Sequence, residues 1–149
     1  MTRQFFNKIL LFKIPIAKIA GLKLHSFDQE KAQILVKYGW LNQNPFKSMF
    51  WAVQGMAAEF STGFLCIDKI QKSNQKISML VVGLEANFTK KAVGKIIFTC
   101  DQGAQLDEVL QKAIETKEGQ ILKMRSVGID EQGDQVSEFF FTWSFKVKK

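Results

Sequence analysis

The sequence predicts an α+β domain in which a six-stranded antiparallel sheet wraps around one long central helix, after an N-terminal amphipathic helix. Two observations lead to this class: six segments have the apolar patterns of strands, and one long segment is apolar at helical spacing with a single charge. The length of 149 residues suits one domain, 1–149, with one core. A composition of 46% apolar and 23% charged residues excludes a disordered or collagen-like chain.

A basic amphipathic helix is predicted over residues 1–21. Its apolar positions are spaced alternately by four and three residues, at Phe5, Ile9, Phe12, Ile16 and Ile19, and Pro15 is expected to interrupt or kink it. Because Lys13 and Lys18 interrupt the apolar stretch and no small-residue cleavage site follows, the segment is not expected to be a signal peptide. Packing on its own domain is the favoured interpretation, and contact of residues 1–20 with a membrane surface is the alternative.

The other elements are predicted as hairpins separated by helices. The strand pairs are 22–27 with 32–38, 77–88 with 94–100, and 121–129 with 136–147. A short amphipathic helix around 106–114 precedes the third pair. The last strand alternates most clearly, so five of its side chains are predicted to share one face: Phe139, Phe141, Trp143, Phe145 and Val147.

The central helix is predicted over residues 46–70, where apolar residues recur at helical spacing. Glu59 is the only charged residue between Ser48 and Ile67. A transmembrane span is rejected, because a central carboxylate costs about 2.5–3.5 kcal/mol on insertion scales and Gln54 and Thr62 add polar groups. A buried core helix is the prediction that remains.

Glu59 is the candidate catalytic residue. It shares a helical stripe with small residues that leave room either for close packing of the sheet or for a ligand: Ala52, Gly55, Thr62, Gly63 and Cys66. Burial in such a place raises the pKa of a carboxyl group and suits it to proton transfer near neutral pH. The alternative is a structural glutamate that is paired with a lysine or held by backbone donors.

The start of the central helix carries two candidate caps. Asn44 followed by Pro45 has the signature of an N-cap and first helical residue, and Ser48 is the alternative if residues 44–47 form a turn. Either start leaves free backbone N–H groups at the positive end of the helix dipole. Such groups can hold a carbonyl oxygen that develops negative charge, although capping alone is the simpler role for Asn44.

The segments NPFKS at 44–48 and AAEFSTG at 57–63, together with the terminal FFFTWSFKV, resemble the hotdog fold. The similarity covers nearly the whole chain and is greatest to the acyl-CoA thioesterase-like branch, related to phenylacetate-pathway thioesterases, within a subfamily of largely uncharacterised function. The resemblance implies hydrolysis of an acyl thioester with Glu59 as general base or nucleophile. It also implies a homodimer or a dimer of dimers, with coenzyme A present only as part of the substrate and no other cofactor.

The substrate-binding candidates that accompany Glu59 are Asn44, Ser48, Met49, Phe50, Trp51, Gln54 and Thr62. By the resemblance, Asn44 matches an asparagine ahead of the family's helix, and the helix-start N–H groups polarise the thioester carbonyl. Gln54 is expected to orient the water or the substrate. Many relatives carry His-Gly-Gly or a lone histidine where this chain has Met49, Phe50 and Trp51. Because of this difference, the alternative function is that of a non-catalytic protein that binds acyl-CoA, fatty acyl groups or another apolar ligand.

Charge and cysteine content set the remaining expectations. The net charge is +7, and residues 1–40, with seven basic and two acidic residues, carry +5 of it. A polyanionic partner and simple solubility are both open, but the predominance of lysine argues against nucleic acid. A single histidine, His25, and two cysteines, Cys66 and Cys100, predict neither a metal site nor a disulfide scaffold. A cytoplasmic location is expected, since no secretory signal is recognised.

Overall fold

The computed structural model describes residues 2–149. Its helices are α1 (Arg3–Phe12), α2 (Pro15–Ile19), α3 (Trp51–Ser73) and α4 (Gly103–Thr116), with a short 3-10 helix at Trp40–Asn42. Its strands are β1 (Lys23–Phe27), β2 (Ala32–Lys37), β3 (Ile77–Phe88), β4 (Lys95–Cys100), β5 (Gln120–Ile129) and β6 (Gln135–Val147). The predicted α+β class is confirmed, because the strands form one antiparallel sheet and the long helix α3 packs against it.

The strand order in the sheet is β1-β2-β4-β5-β6-β3. The first and third predicted hairpins are present, but the predicted pairing of β3 with β4 is wrong. β3 instead pairs with β6 along its whole length, from Ile77 opposite Val147 to Phe88 opposite Ser137. Strand length explains the difference, because the six-residue β4 would leave half of the 12-residue β3 unpaired, whereas β6 has 13 residues. β3 therefore forms one edge of the sheet.

The core lies between α3 and one face of the sheet. The predicted common face of β6 is confirmed, since its four alternating aromatic side chains are all buried. α3 approaches this strand closely at two glycines: a Cβ on Gly55 would lie 3.4 Å from the Phe139 ring, and one on Gly63 would lie 3.4 Å from the Trp143 ring. These two small residues of α3 therefore serve close packing of the sheet.

The N-terminal segment forms two helices where the sequence predicts one with a kink. α1 ends at Phe12 and α2 begins at Pro15, because proline lacks the N–H that a continuous helix would need at that position. The two helices are joined by a short link in which the N–H of Ile14 donates to the carbonyl of Ile9 at 3.1 Å.

The inner face of this segment packs on the core, but with different residues from the predicted stripe. Phe6 and Leu10 are fully buried, and the Phe6 ring centroid lies 4.8 Å from that of Phe64 on α3. The later part of the predicted stripe is exposed to solvent, at Phe12 at the end of α1 and at Ile16 and Ile19 on α2. Because α2 is a separate helix after the break, Ile16 and Ile19 do not continue the buried face of α1, and Ala17 is the residue that α2 buries.

α3 begins at Trp51 rather than at residue 46, and its N-cap is Phe50, whose side chain makes no capping hydrogen bond. The prediction that Asn44 or Ser48 caps the helix is therefore wrong; both residues belong to a turn that precedes it. The helix ends at Ser73, and its C-cap Asn74 adopts the left-handed conformation with φ 56°. Within residues 2–149, no helix has the combination of length and hydropathy that a membrane span requires.

Candidate active site

Glu59 lies in the third turn of α3, beside a small pocket with a volume of about 90 Å³. The pocket walls come from four parts of the fold that are distant in sequence. They are Ile9 and Ile14 from the N-terminal segment, Phe60, Gly63, Phe64 and Ile67 from α3, Met79 from β3 and Trp143 from β6. Apart from Glu59 itself, every side chain in this lining is apolar or the indole of a tryptophan.

The Glu59 side chain is half-buried in these surroundings. Among residues 2–149, no lysine, arginine or histidine forms an ion pair with it, and no donor hydrogen-bonds its carboxylate. Burial therefore raises the pKa of Glu59 above its ordinary value, since loss of hydration disfavours the charged form and no cation in the described part of the chain offsets this effect. Glu59 is therefore not a structural glutamate that is paired with a lysine of residues 2–149. A carboxyl group in this state can take a proton from water or attack a carbonyl carbon near neutral pH.

Thr62 lies next to Glu59 on α3, but its hydroxyl is occupied by the fold. Oγ1 of Thr62 donates to the backbone carbonyl of Glu59 at 2.8 Å and accepts from Nε1 of Trp143 at 2.8 Å. The hydroxyl thus makes one hydrogen bond as donor and one as acceptor, and Thr62 fixes the indole that forms one wall of the pocket.

Asn44 organises the turn that leads into α3. Its Oδ1 accepts from the backbone N–H of Phe46 at 2.8 Å and from that of Ser48 at 3.3 Å. Its Nδ2 donates to the hydroxyl of Ser48 at 3.0 Å, and Lys47 adopts φ 61° within the same turn. Asn44 and Ser48 therefore hold each other in place, and the turn fixes where the first residues of α3 lie.

The first turn of α3 offers unpaired backbone donors. Among residues 2–149, the N–H groups of Trp51 and Ala52 have no hydrogen-bond acceptor. Trp51 precedes Glu59 by eight residues, which corresponds to about 12 Å along a helix. A single chain therefore does not place its own helix start beside its own Glu59.

Gln54 is buried on another side of α3. Its Oε1 accepts from the hydroxyl of Ser137 at 2.7 Å, and its Nε2 donates to the carbonyl of Met49 at 3.2 Å. Five helical residues separate Gln54 from Glu59, which places them about 140° apart around the axis. The structure thus joins Gln54 to β6 and to the helix start rather than to the carboxylate.

Met49, Phe50 and Trp51, which lead into α3, differ in burial. Met49 is buried, and its N–H donates to the carbonyl of Ala92 at 2.9 Å. Phe50 and Trp51 expose 44% and 52% of their surfaces, and their ring centroids lie 6.0 Å apart. The helix start therefore presents two aromatic rings to solvent beside the free N–H groups.

Sequence reasoning did not identify most groups that enclose Glu59. Ile9, Ile14 and Met79 belong to elements outside α3, and no local pattern marks them as neighbours of the carboxylate. Trp143 could have been found, because the alternation of β6 places it on the face that α3 covers.

The architecture recurs in solved structures from several bacteria. A Pseudomonas aeruginosa protein of unknown function, PA5026, described as a probable thioesterase, superposes with a TM-score of 0.85 at 17% identity, over 99% of this chain and 97% of that one. A putative thioesterase from Shewanella oneidensis gives a TM-score of 0.78 at 10% identity, over 98% of this chain and 97% of that one. The Haemophilus influenzae thioesterase HI1161 gives 0.72 at 13% identity, over 99% and 92%.

At these identities the structural similarity shows the fold, which is the hotdog fold. No curated protein is significantly similar to the chain in sequence. Residues 2–145, however, match the family described as the domain of unknown function DUF4442. The chain is a hotdog-fold protein that belongs to the DUF4442 family.

Proposed function

We propose that this protein hydrolyses an acyl-CoA or a related acyl thioester, with Glu59 as general base or nucleophile. The observation that carries the proposal is the Glu59 carboxylate: it is half-buried beside an apolar pocket, and no cation among residues 2–149 pairs with it. This environment suits a general base, because desolvation brings the pKa of the carboxyl group toward the working pH. The thioesterase descriptions of structures that share the fold support the same reaction class.

Glu59 can act in the proposed hydrolysis in two ways, as a general base or as a nucleophile. As a base, Glu59 takes a proton from a water molecule while the water oxygen attacks the thioester carbonyl carbon. The tetrahedral intermediate collapses, the C–S bond breaks, and the thiolate recovers the proton, which leaves a carboxylic acid and a free thiol. As a nucleophile, Glu59 attacks the same carbon, the C–S bond breaks and the thiolate leaves. Water then hydrolyses the mixed anhydride, which releases the carboxylic acid, regenerates the Glu59 carboxylate and supplies the proton that the thiolate takes up. Both forms need donors for the oxyanion.

A second copy of the chain is the proposed source of those donors. The free N–H of Trp51 is about 12 Å from the Glu59 of its own chain, too far for one carbonyl group to contact both. β3 provides a surface for pairing: it is an edge strand with one unpaired side, and Leu80, Val82 and Leu84 expose 65%, 56% and 51% of their surfaces. A long edge with exposed apolar side chains is the kind that pairs with another strand. The proposed active form is therefore a homodimer.

Mixing of subunits tests the shared site. Trp51→Pro removes the N–H donor at the first helical residue, where proline is tolerated, and Trp51→Ala is the matched control that removes only the ring. Glu59→Gln and Trp51→Pro homodimers are each expected to be nearly inactive. After refolding together, half of the dimers combine one chain of each kind, and each of these has one intact site. Activity is then expected to return to about a quarter of the wild-type level. No recovery would place Glu59 and its donors in one chain.

The second candidate is a protein that binds acyl-CoA or fatty acyl groups without catalysis. The exposed rings of Phe50 and Trp51 favour it, because they stand at the helix start where a carbonyl would have to approach the backbone. A panel of acyl-CoAs of different chain length, assayed with a thiol reagent, separates the two functions. Release of free thiol supports the hydrolase. Binding by calorimetry without thiol release supports the binding protein and overturns the hydrolase.

A further inference from the structure

Four large apolar side chains of the N-terminal segment are exposed to solvent among its lysines. Leu11, Phe12, Ile16 and Ile19 expose 50%, 73%, 64% and 62% of their surfaces. The inner face of the same segment is already packed on the core through Phe6, so the domain itself cannot cover the outer one. We call these four residues the outer apolar face.

The outer apolar face continues onto the 3-10 helix. Trp40 and Leu41 are 81% and 68% exposed. The side chain of Asn42, which follows them, donates from Nδ2 to the carbonyl of Ala20 at 2.9 Å, and Ala20 comes directly after Ile19. This hydrogen bond fixes the 3-10 helix beside the end of α2. An aromatic side chain at the border of an aliphatic patch is typical of the membrane–water interface.

The charge around this face has one sign. Residues 2–27 contain five basic residues, Arg3, Lys8, Lys13, Lys18 and Lys23, and no acidic residue. Three of them, together with His25 and Asn7, line a pocket of about 390 Å³ between α1, α2 and β1. Asn7 lies one helical turn before Leu11, so this basic pocket adjoins the outer apolar face.

The positive charge and the exposed apolar side chains of the N-terminal segment together indicate what kind of partner binds there. A second copy of this face would bring five positive charges against five, which disfavours self-association. Nucleic acid would use the charge but would leave the apolar side chains in water. An anionic bilayer satisfies both features, because apolar side chains enter the boundary between headgroups and acyl chains while lysines remain at the phosphate level.

We propose that α1 and α2 dock on the surface of an anionic membrane, with Leu11, Phe12, Ile16 and Ile19 in the interface and a lipid phosphate in the pocket formed by Arg3, Lys18 and Lys23. The helices lie on the bilayer and do not cross it. This proposal does not depend on the thioesterase proposal, because none of these residues lines the pocket beside Glu59.

Co-sedimentation of the full chain with vesicles tests the proposal. Vesicles of phosphatidylcholine with about 30% phosphatidylserine are compared with vesicles of phosphatidylcholine alone, at low and high salt. The chain is expected to bind the anionic vesicles and to be released by salt. Phe12→Ser/Ile16→Ser is expected to weaken binding at least ~10-fold, and the matched control Ile121→Ser, at a residue 65% exposed on β5, is expected to leave binding unchanged.

A second pair of variants tests the basic pocket. Lys18→Gln/Lys23→Gln is expected to weaken binding by roughly 25-fold, at about fivefold for each charge near the surface. Lys76→Gln/Lys112→Gln makes the same change in net charge elsewhere and is expected to have little effect.

Absence of wild-type binding, or equal losses in the two lysine pairs, would overturn the proposal. A change of oligomeric state in Phe12→Ser/Ile16→Ser would overturn it as well, since the face would then be a protein interface. Circular dichroism confirms that each variant is folded.

Discussion

Glu59→Gln is expected to lower thioester turnover at least ~100-fold, the scale on which a lost acid–base group acts. Glutamine has the same size and fills the same position beside the apolar pocket, but it neither accepts a proton from water nor forms an anhydride. The free thiol released from an acyl-CoA is the measurement. Glu108→Gln is the matched control, because it makes the same change on an exposed residue of α4. Turnover that is unchanged in Glu59→Gln would remove this residue from the chemistry.

The same variant is expected to change the pH dependence of stability. Burial raises the pKa of Glu59, so between its unfolded and folded pKa values the folded chain binds more protons than the unfolded chain. The contribution of Glu59 to stability is therefore present at low pH and is lost as the pH rises through the folded pKa. Glu59→Gln lacks this loss. Urea unfolding from pH 4 to pH 8 is expected to show the variant gaining stability relative to wild type as the pH rises from the unfolded pKa through the folded pKa.

These two effects of Glu59→Gln distinguish catalysis from structure. If Glu59 served packing alone, replacing it with glutamine would stabilise the protein without any loss of turnover. If Glu59 is catalytic, the glutamine variant loses turnover and gains stability. The apolar site that activates the carboxylate also destabilises its ionised form.

The parts of this fold that could be predicted from sequence are those set by local pattern. The limits of β3 agree with the predicted strand at 77–88, and the buried aromatic face of β6 follows from strict alternation. Glu59 also stands out locally, as the one charge in a long apolar segment. Local pattern could not predict which strand β3 pairs with, because its pairing with β6 joins residues that are 49 to 70 positions apart in the chain.

The start of α3 shows a different limit. Asn44 followed by Pro45 fits both a helix cap and a turn in which the asparagine side chain binds the backbone two residues on. The structure contains the second, since Oδ1 of Asn44 accepts from the N–H of Phe46. The two conformations share one sequence signature, and the choice between them depends on contacts such as the donation from the Phe50 N–H to the carbonyl of Asn42 at 2.8 Å.

The start of α4 holds a contact that no local pattern predicts. The N–H of Gly103 donates to the carbonyl of Glu30 at 3.0 Å, which ties α4 to the turn between β1 and β2. That turn is itself fixed, because Oδ1 of Asp28 accepts from the N–H groups of Glu30 and Lys31 at 2.8 Å each. A Cβ on Gly103 would overlap the carbonyl oxygen of Gln29 and lie 2.5 Å from Cα of Glu30. Glycine is required here by close backbone approach and not by its own φ.

Gly103→Ala is accordingly expected to destabilise the fold by about 3 kcal/mol, at the upper end of the usual cost of overpacking, because the overlapping atoms are backbone and cannot rotate away. For a chain of this size the melting temperature should fall by roughly 10 °C. Gly39→Ala is the matched control: its added Cβ would meet nothing within 4 Å, and the φ of −165° suits alanine. That control is expected to be neutral or slightly stabilising, since alanine restricts the unfolded chain more than glycine does. Equal melting temperatures for the two variants would mean that α4 can move away from the turn without cost, and that the Gly103–Glu30 hydrogen bond does not hold the helix in place.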